Sequence, residues 1–236
     1  MKSAIIAILV FLLFLPGKAF CEAPTQQQIT EWRRDAAQGN AQAQFNLADM
    51  YFDSKDYHEA VKWYQLAAEQ GNALAQFWLG YMYHTGNGVT KDYAEALKWY
   101  RLSAAQGKAA AQYNIGQMNE IGLYNYYSPP NPRFSDVEAV KWYRLAADQG
   151  YAEAQNHLGL MYDNGKGVAQ DSAEALKWYR LAADQGYAEA QNNLAQHYFF
   201  GEGITQDYAE ALKWFRLAAA QGYAEAQESL DRYWKK

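Results

Sequence analysis

The chain has 236 residues, half of them apolar, and 21 Lys+Arg against 26 Asp+Glu give a formal net charge of −5. That much apolar material excludes a disordered chain, and the acidic balance argues against nucleic acid as a partner, because binding a polyanion needs a basic face. A single cysteine, Cys21, rules out an intramolecular disulfide framework.

In chain order, the first element is an address. Met1-Lys2 precedes an unbroken apolar run from Ala4 to Leu15, too short for a bilayer span, which takes about 20 residues. A basic start, an apolar segment and the small residues Ala19 and Cys21 predict a secretory signal peptide over residues 1–21. Cleavage falls after Cys21 or after Ala19, and bulky Phe20 argues against a lipid-anchored cysteine. The expectation is a chain exported to the periplasm or the medium, with no integral membrane segment in its mature part.

The remainder repeats itself. Residues 151–186 read YAEAQNHLGLMYDNGKGVAQDSAEALKWYRLAADQG, residues 187–222 read YAEAQNNLAQHYFFGEGITQDYAEALKWFRLAAAQG, and the two agree at 24 of 36 positions. Gln-Gly pairs ending at Gly39, Gly71, Gly107, Gly150, Gly186 and Gly222 are separated by 32, 36, 43, 36 and 36 residues. This divides the chain into a partial unit at 22–39, five units (40–71, 72–107, 108–150, 151–186, 187–222) and a C-terminal capping helix at 223–236.

Each unit carries two helical patterns. Ala154, Leu158, Met161 and Tyr162 fall at i, i+4, i+7 and i+8, one face of a helix A, and Leu176, Tyr179 and Ala183 do the same for a helix B. Asp56, Asp92, Ser135, Asp171 and Asp207 each stand three residues before a glutamate, the capping-box spacing that opens helix B. A hairpin of this kind cannot bury both apolar faces alone, so it stacks on its neighbours.

The pattern A-x-A-Q-x-x-L-G-x-M-Y, G-x-G-V, D-x-x-E-A-L-K-W-Y-x-x-A-A-x-Q-G resembles the Sel1-like repeat family, relatives of tetratricopeptide repeats. The resemblance covers about residues 26–236. The first unit departs from it by lacking G-x-G-V, and the third replaces that loop with a longer segment between Gly122 and Ser135. It implies an all-α fold, a right-handed α/α superhelical solenoid, in a non-enzymatic scaffold that binds a protein or peptide. Some members of the family have been linked to β-lactams.

No enzyme motif competes with that reading. The G-x-G stretches are followed by no Gly-Lys-Ser/Thr, so they are turns between helices and not phosphate loops. The four histidines match no H-E-x-x-H spacing and read as surface or groove residues, without a metal. S-x-x-K, K-T-G and G-x-S-x-G are missing, so no serine is set up as a nucleophile. No cofactor, metal or catalytic residue is expected. The alternatives are a cell-wall-directed enzyme or β-lactam-binding protein, and a secreted factor that meets a host.

Comparing units separates packing columns from free ones. Positions 3, 7, 10 and 14 of helix A share a face, and several of them vary from unit to unit. Trp78, Tyr81, Asn114, Gln117, His157, Leu160, Asn193, Gln196 and Phe200 are therefore candidates for a partner-binding groove on the concave side. Rings would supply anchors and amides would supply register. Trp78 and Tyr81 are equally what a layer interface would use. A second candidate is the insertion, where Tyr124, Tyr126 and Tyr127 stand beside three prolines.

Overall fold

A computed structural model of the chain describes residues 24–121 and 135–235. The expected signal peptide (1–21) and the insertion tyrosines Tyr124, Tyr126 and Tyr127 lie outside the described residues.

Twelve helices and no strand are present among the described residues. They are α1 (Gln26–Ala37), α2 (Ala41–Asp53), α3 (Tyr57–Glu69), α4 (Ala73–Thr85), α5 (Tyr93–Ala105) and α6 (Ala109–Glu120). After the insertion come α7 (Asp136–Ala147), α8 (Ala152–Asn164), α9 (Ser172–Asp184), α10 (Ala188–Phe200), α11 (Tyr208–Ala220) and α12 (Ala224–Tyr233). Even-numbered helices are the A type and odd-numbered ones the B type. Each helix packs on the one before and the one after it, so hairpins α2–α3 through α10–α11 stack in sequence order.

Local chemistry sets the boundaries. The side chains of Asp56, Asp92, Ser135, Asp171 and Asp207 accept from backbone amides in the first turn of their B helices, filling donors that an α-helix leaves open. The reciprocal half of the capping box forms between Thr25 and Gln28, at the start of α1. In the five later B helices the glutamate turns outward instead and pairs with the lysine three residues on, as in Glu174–Lys177 at 2.7 Å. Such exposed pairs are screened by water and contribute little.

Small residues set the depth of packing. A Cβ at Gly80, Gly116 or Gly159 would stand 2.8, 2.6 or 2.6 Å from the ring of Tyr100, Tyr143 or Tyr179, so helices A and B approach as closely as a tyrosine edge allows. The G-x-G turns do a second job. Gly165 ends α8 in the left-handed region, and Gly167 (φ 68°) lies so near α7 that a Cβ would meet the Asp136 carbonyl oxygen at 2.3 Å. The loop of one unit is thereby pressed onto the B-helix start of the previous unit.

The core runs the length of the stack as alternating alanine, leucine and tyrosine layers, with Ala154, Leu158, Ala175, Tyr179, Ala182, Ala190 and Leu194 all buried. A glutamine ladder ties the layers. The Gln155 amide donates to the Ala147 carbonyl at the end of the preceding B helix, and Gln155 accepts from Gln185 of its own unit. The same pair of bonds recurs at Gln44, Gln76, Gln112 and Gln191. This explains why A-x-A-Q and Q-G travel together in the repeat. At the C-terminal end Trp234 covers Phe215 and Phe199, with ring centroids 5.9 and 5.5 Å away.

Candidate functional site

Stacking brings consecutive A helices side by side, and their side chains meet across the joints. Phe52 of α2 packs on Trp78 of α4 at 4.9 Å, and Trp78 meets Tyr81 edge-on at 5.5 Å and stacks on Tyr64 at 6.3 Å. Trp78 and Tyr81 are half-buried: one part of each ring holds a layer joint and the rest faces out. Burial pushes the Tyr81 hydroxyl pKa up.

The other candidates follow along the stack. Asn114 is half-buried, and Gln117 donates to the Tyr113 hydroxyl at 2.9 Å. His157 sits between the rings of Tyr113 and Tyr143, 5.3 and 5.2 Å away. Leu160 packs half-buried against the core of the last two units, and Asn193 donates to Asn156 at 3.0 Å. Gln196 and Phe200 are exposed, Phe200 to 55%. None of the nine is buried, and they line successive A helices in register.

A set of carboxylates was missed. Tyr64 donates to Asp49 and Tyr143 to Glu120, each at 2.7 Å, while Asp163 stands against Tyr179. Burial first, and the adjacent carboxylate second, push these three hydroxyls far above the ordinary tyrosine value, so they stay donors. Two of the carboxylates also reach the next unit. Glu120 lies 3.6 Å from His157 and 4.0 Å from Lys166. His157, then Tyr143 and Lys166, hold its pKa below the usual carboxylate range against the opposing effect of burial. Asp163 lies 2.9 Å from His197.

His197 corrects the sequence reading. It is no surface or groove histidine: it is 3% exposed, with one ring nitrogen at Asp163 and the other 2.8 Å from the Glu202 carbonyl. The last turn of α8 and the turn after α10 both point polar groups inward here, which periodicity alone does not reveal. The available signal was the column Tyr64, Tyr100, Tyr143 and Tyr179 in the B helices of the first four units, beside a carboxylate near the end of helix A in units one, three and four.

Among the described residues no three His, Cys, Asp or Glu side chains converge as a metal site, and no helix is long and apolar enough to cross a membrane. A stack of near-identical helical hairpins with a variable stripe along one helix type defines a helical-repeat solenoid. The chain belongs to the Sel1 repeat family, whose model matches residues 41–72, 73–108, 109–151, 152–187 and 188–223. Sel1 repeat proteins are generally protein-interaction scaffolds.

Solved structures agree. A Sel1 repeat protein from Oxalobacter formigenes is 36% identical, with TM-score 0.79 over 89% of this chain and 82% of that one. A protective antigen present in uropathogenic Escherichia coli strains is 39% identical, with TM-score 0.78 over 86% of this chain. This chain spans 43% of that antigen's length. An immunity protein from Pseudomonas aeruginosa is 26% identical, with TM-score 0.51, covering 90% of this chain and 73% of that one. No curated protein matches the chain.

Proposed function

We propose that the chain is an exported, non-enzymatic scaffold that holds a protein or peptide along the A-helix stripe from Trp78 to Phe200. The observation that carries this reading is the contrast between columns. The glutamine, alanine and tyrosine positions that hold the stack together repeat almost unchanged, whereas the stripe changes from Trp78 and Tyr81 to Asn114 and Gln117 to His157 and Leu160 to Asn193 and Gln196, none of them fully buried. Positions that pack on one side and keep the other open can vary without undoing the stack, and their open side is what a partner can select. The mechanism is presentation of a rigid surface, with no bond made or broken, and neither metal nor cofactor enters it. The tyrosines at 124, 126 and 127 belong to the same reading as a second contact region.

Export rests on the basic-apolar-small order of residues 1–21. The E. coli relative is a protective antigen, which favours a second reading in which this scaffold faces a host. Fractionating the producing cells separates a periplasmic scaffold from one that reaches the medium.

The exposed end of the stripe gives the direct test. Gln196→Ala combined with Phe200→Ala is expected to leave the melting temperature within about 2 °C, since surface changes away from special features fall within about 0.5 kcal/mol. Recovery of partners cross-linked in the native envelope is expected to fall. Unchanged recovery from the double variant, and from a second variant with residues 123–134 shortened to a turn, would reject the groove and the insertion together.

A further inference from the structure

The tyrosine-carboxylate pairing has one gap. Asp49, Glu120 and Asp163 serve Tyr64, Tyr143 and Tyr179, and the fifth unit has Phe215, which needs no acceptor. In the second unit the position equivalent to Asp49 holds Tyr81, and the position equivalent to Glu120 and Asp163 holds His84. Among the A helices, α4 alone contains neither Asp nor Glu. Its tyrosine, Tyr100, is fully buried, and the hydroxyl has no hydrogen-bond partner. A buried donor without an acceptor is costly, and any group that accepts from it recovers that cost.

The surroundings say what that group is. Burial pushes the Tyr100 pKa upward, so the hydroxyl is a donor across the working pH range. Tyr81 and Asn114, both half-buried members of the stripe, neighbour the hydroxyl, Tyr81 as an electrostatic influence and Asn114 as a hydrogen-bonding group. Asn114 is within reach of it, yet the pair lacks good hydrogen-bond geometry. Its amide is a second potential donor. The His84 ring lies 6.2 Å from that of Tyr100, and Lys91 is the nearby charge acting on His84. The Asn114 amide and the neutral His84 ring can each donate or accept, Lys91 adds a cation, and the carboxylate found in units one, three and four is not there. On the outer side Trp78 lies against Tyr81.

We infer that Tyr100 is the floor of a carboxylate-accepting subsite, which takes an Asp or Glu side chain of a bound peptide between Tyr81 and Asn114 while Trp78 packs the peptide's adjacent apolar residue. The partner supplies the acceptor that the repeat supplies for itself elsewhere. This rests on the groove reading above and adds to it the chemistry of the recognised side chain.

The test uses the full chain and an array of synthetic peptides acetylated and amidated at their ends, so that side chains are the sole source of carboxylates. Peptides that bind are expected to be enriched in Asp or Glu next to Leu, Phe or Trp. Replacing that acid by its amide should weaken binding at least tenfold. Tyr100→Phe should weaken the acidic peptide at least tenfold, leave the amide peptide unaffected, and keep or raise the melting temperature. His84→Glu, which installs the acceptor of the third unit, should abolish preference for the acid.

Peptides that respond to Gln196→Ala with Phe200→Ala but show no preference for an acid, or bind Tyr100→Phe as tightly as the parent, overturn the subsite and leave the groove standing. A Tyr100→Phe variant that melts lower with peptide affinity unchanged marks an internal water as the missing acceptor and overturns it too. Failure to capture any peptide sensitive to the stripe overturns both readings.

Discussion

Gln185 donates its side-chain amide to Gln155 over 2.7 Å, and Gln155 in turn donates to the Ala147 carbonyl at 3.1 Å. One side chain thus joins the end of its own hairpin to the end of the previous one. Gln155 is 4% exposed, so its bond to Ala147 is made away from water, whereas exposed Gln185 reaches it from the edge of the stack.

Gln155→Leu is therefore expected to destabilise by about 0.5–1.5 kcal/mol, the net worth of the lost bonds, because the Ala147 carbonyl still accepts from the Gly150 amide and Gln185 still donates to the Leu181 carbonyl. Gln227 occupies the equivalent column of α12 but is exposed and donates to Asp231. Gln227→Leu should stay within about 0.5 kcal/mol. Urea denaturation of the two variants measures the difference, and equal losses would show that the ladder does not join the layers.

Two glycines should respond unequally to alanine. At Gly167 the new Cβ meets the Asp136 carbonyl oxygen at 2.3 Å, and the φ of 68° is strained for any L side chain. Neither can relax cheaply, and a loss of about 2–4 kcal/mol is expected. At Gly159 the obstacle is the Tyr179 ring, and units one and five already accommodate Ala48 and Ala195 in that column. About 1–2 kcal/mol is expected there. Thermal melts of both variants give the order.

The aromatic joint gives a third expectation. Trp78→Ala removes a ring that touches Phe52, Tyr64, Phe77 and Tyr81, and a half-buried tryptophan in such a cluster should cost about 2–4 kcal/mol. Phe200→Ala should cost nearly nothing by comparison. A stable Trp78→Ala protein would show that the ring belongs to the partner surface alone.

Acid supplies the fourth. Burial, and then the charge of Lys91, push the pKa of His84 from 6.5 down to about 4. The unfolded chain therefore takes up a proton at higher pH than the folded one. The stabilisation associated with neutral His84 is complete above pH 6.5, declines as pH falls towards 4 and is gone below that. Its size is at most about 3 kcal/mol. His84→Phe should flatten the stability profile between those limits, and an unchanged profile would place the acid sensitivity elsewhere.

Much of this fold could be read from one chain because the same local instruction is written five times. Asp171 with Glu174 and the Gln185-Gly186 pair mark the start and end of α9, and each recurs at a fixed spacing. The stripe was legible as variation between units, but its depth was not. Trp78 and Leu160 have the same periodicity whether they face solvent or a neighbouring layer, and their half-buried state follows from where the next A helix lies. The His197–Asp163 pair escaped because it is a contact between units, which spacing within a unit does not encode, and the Tyr100 gap escaped because it depends on which side chains of α4 face α5.

The interlocking of Gln155 with its two neighbours has a consequence for how such a chain can change length. Because every bond in that joint comes from the unit itself or the one beside it, a further 36-residue copy spliced after Gly186 would find a matching socket on either side. The protein is built like a ruler that can be extended by duplication, gaining reach in fixed increments without redesign of the segments already in place.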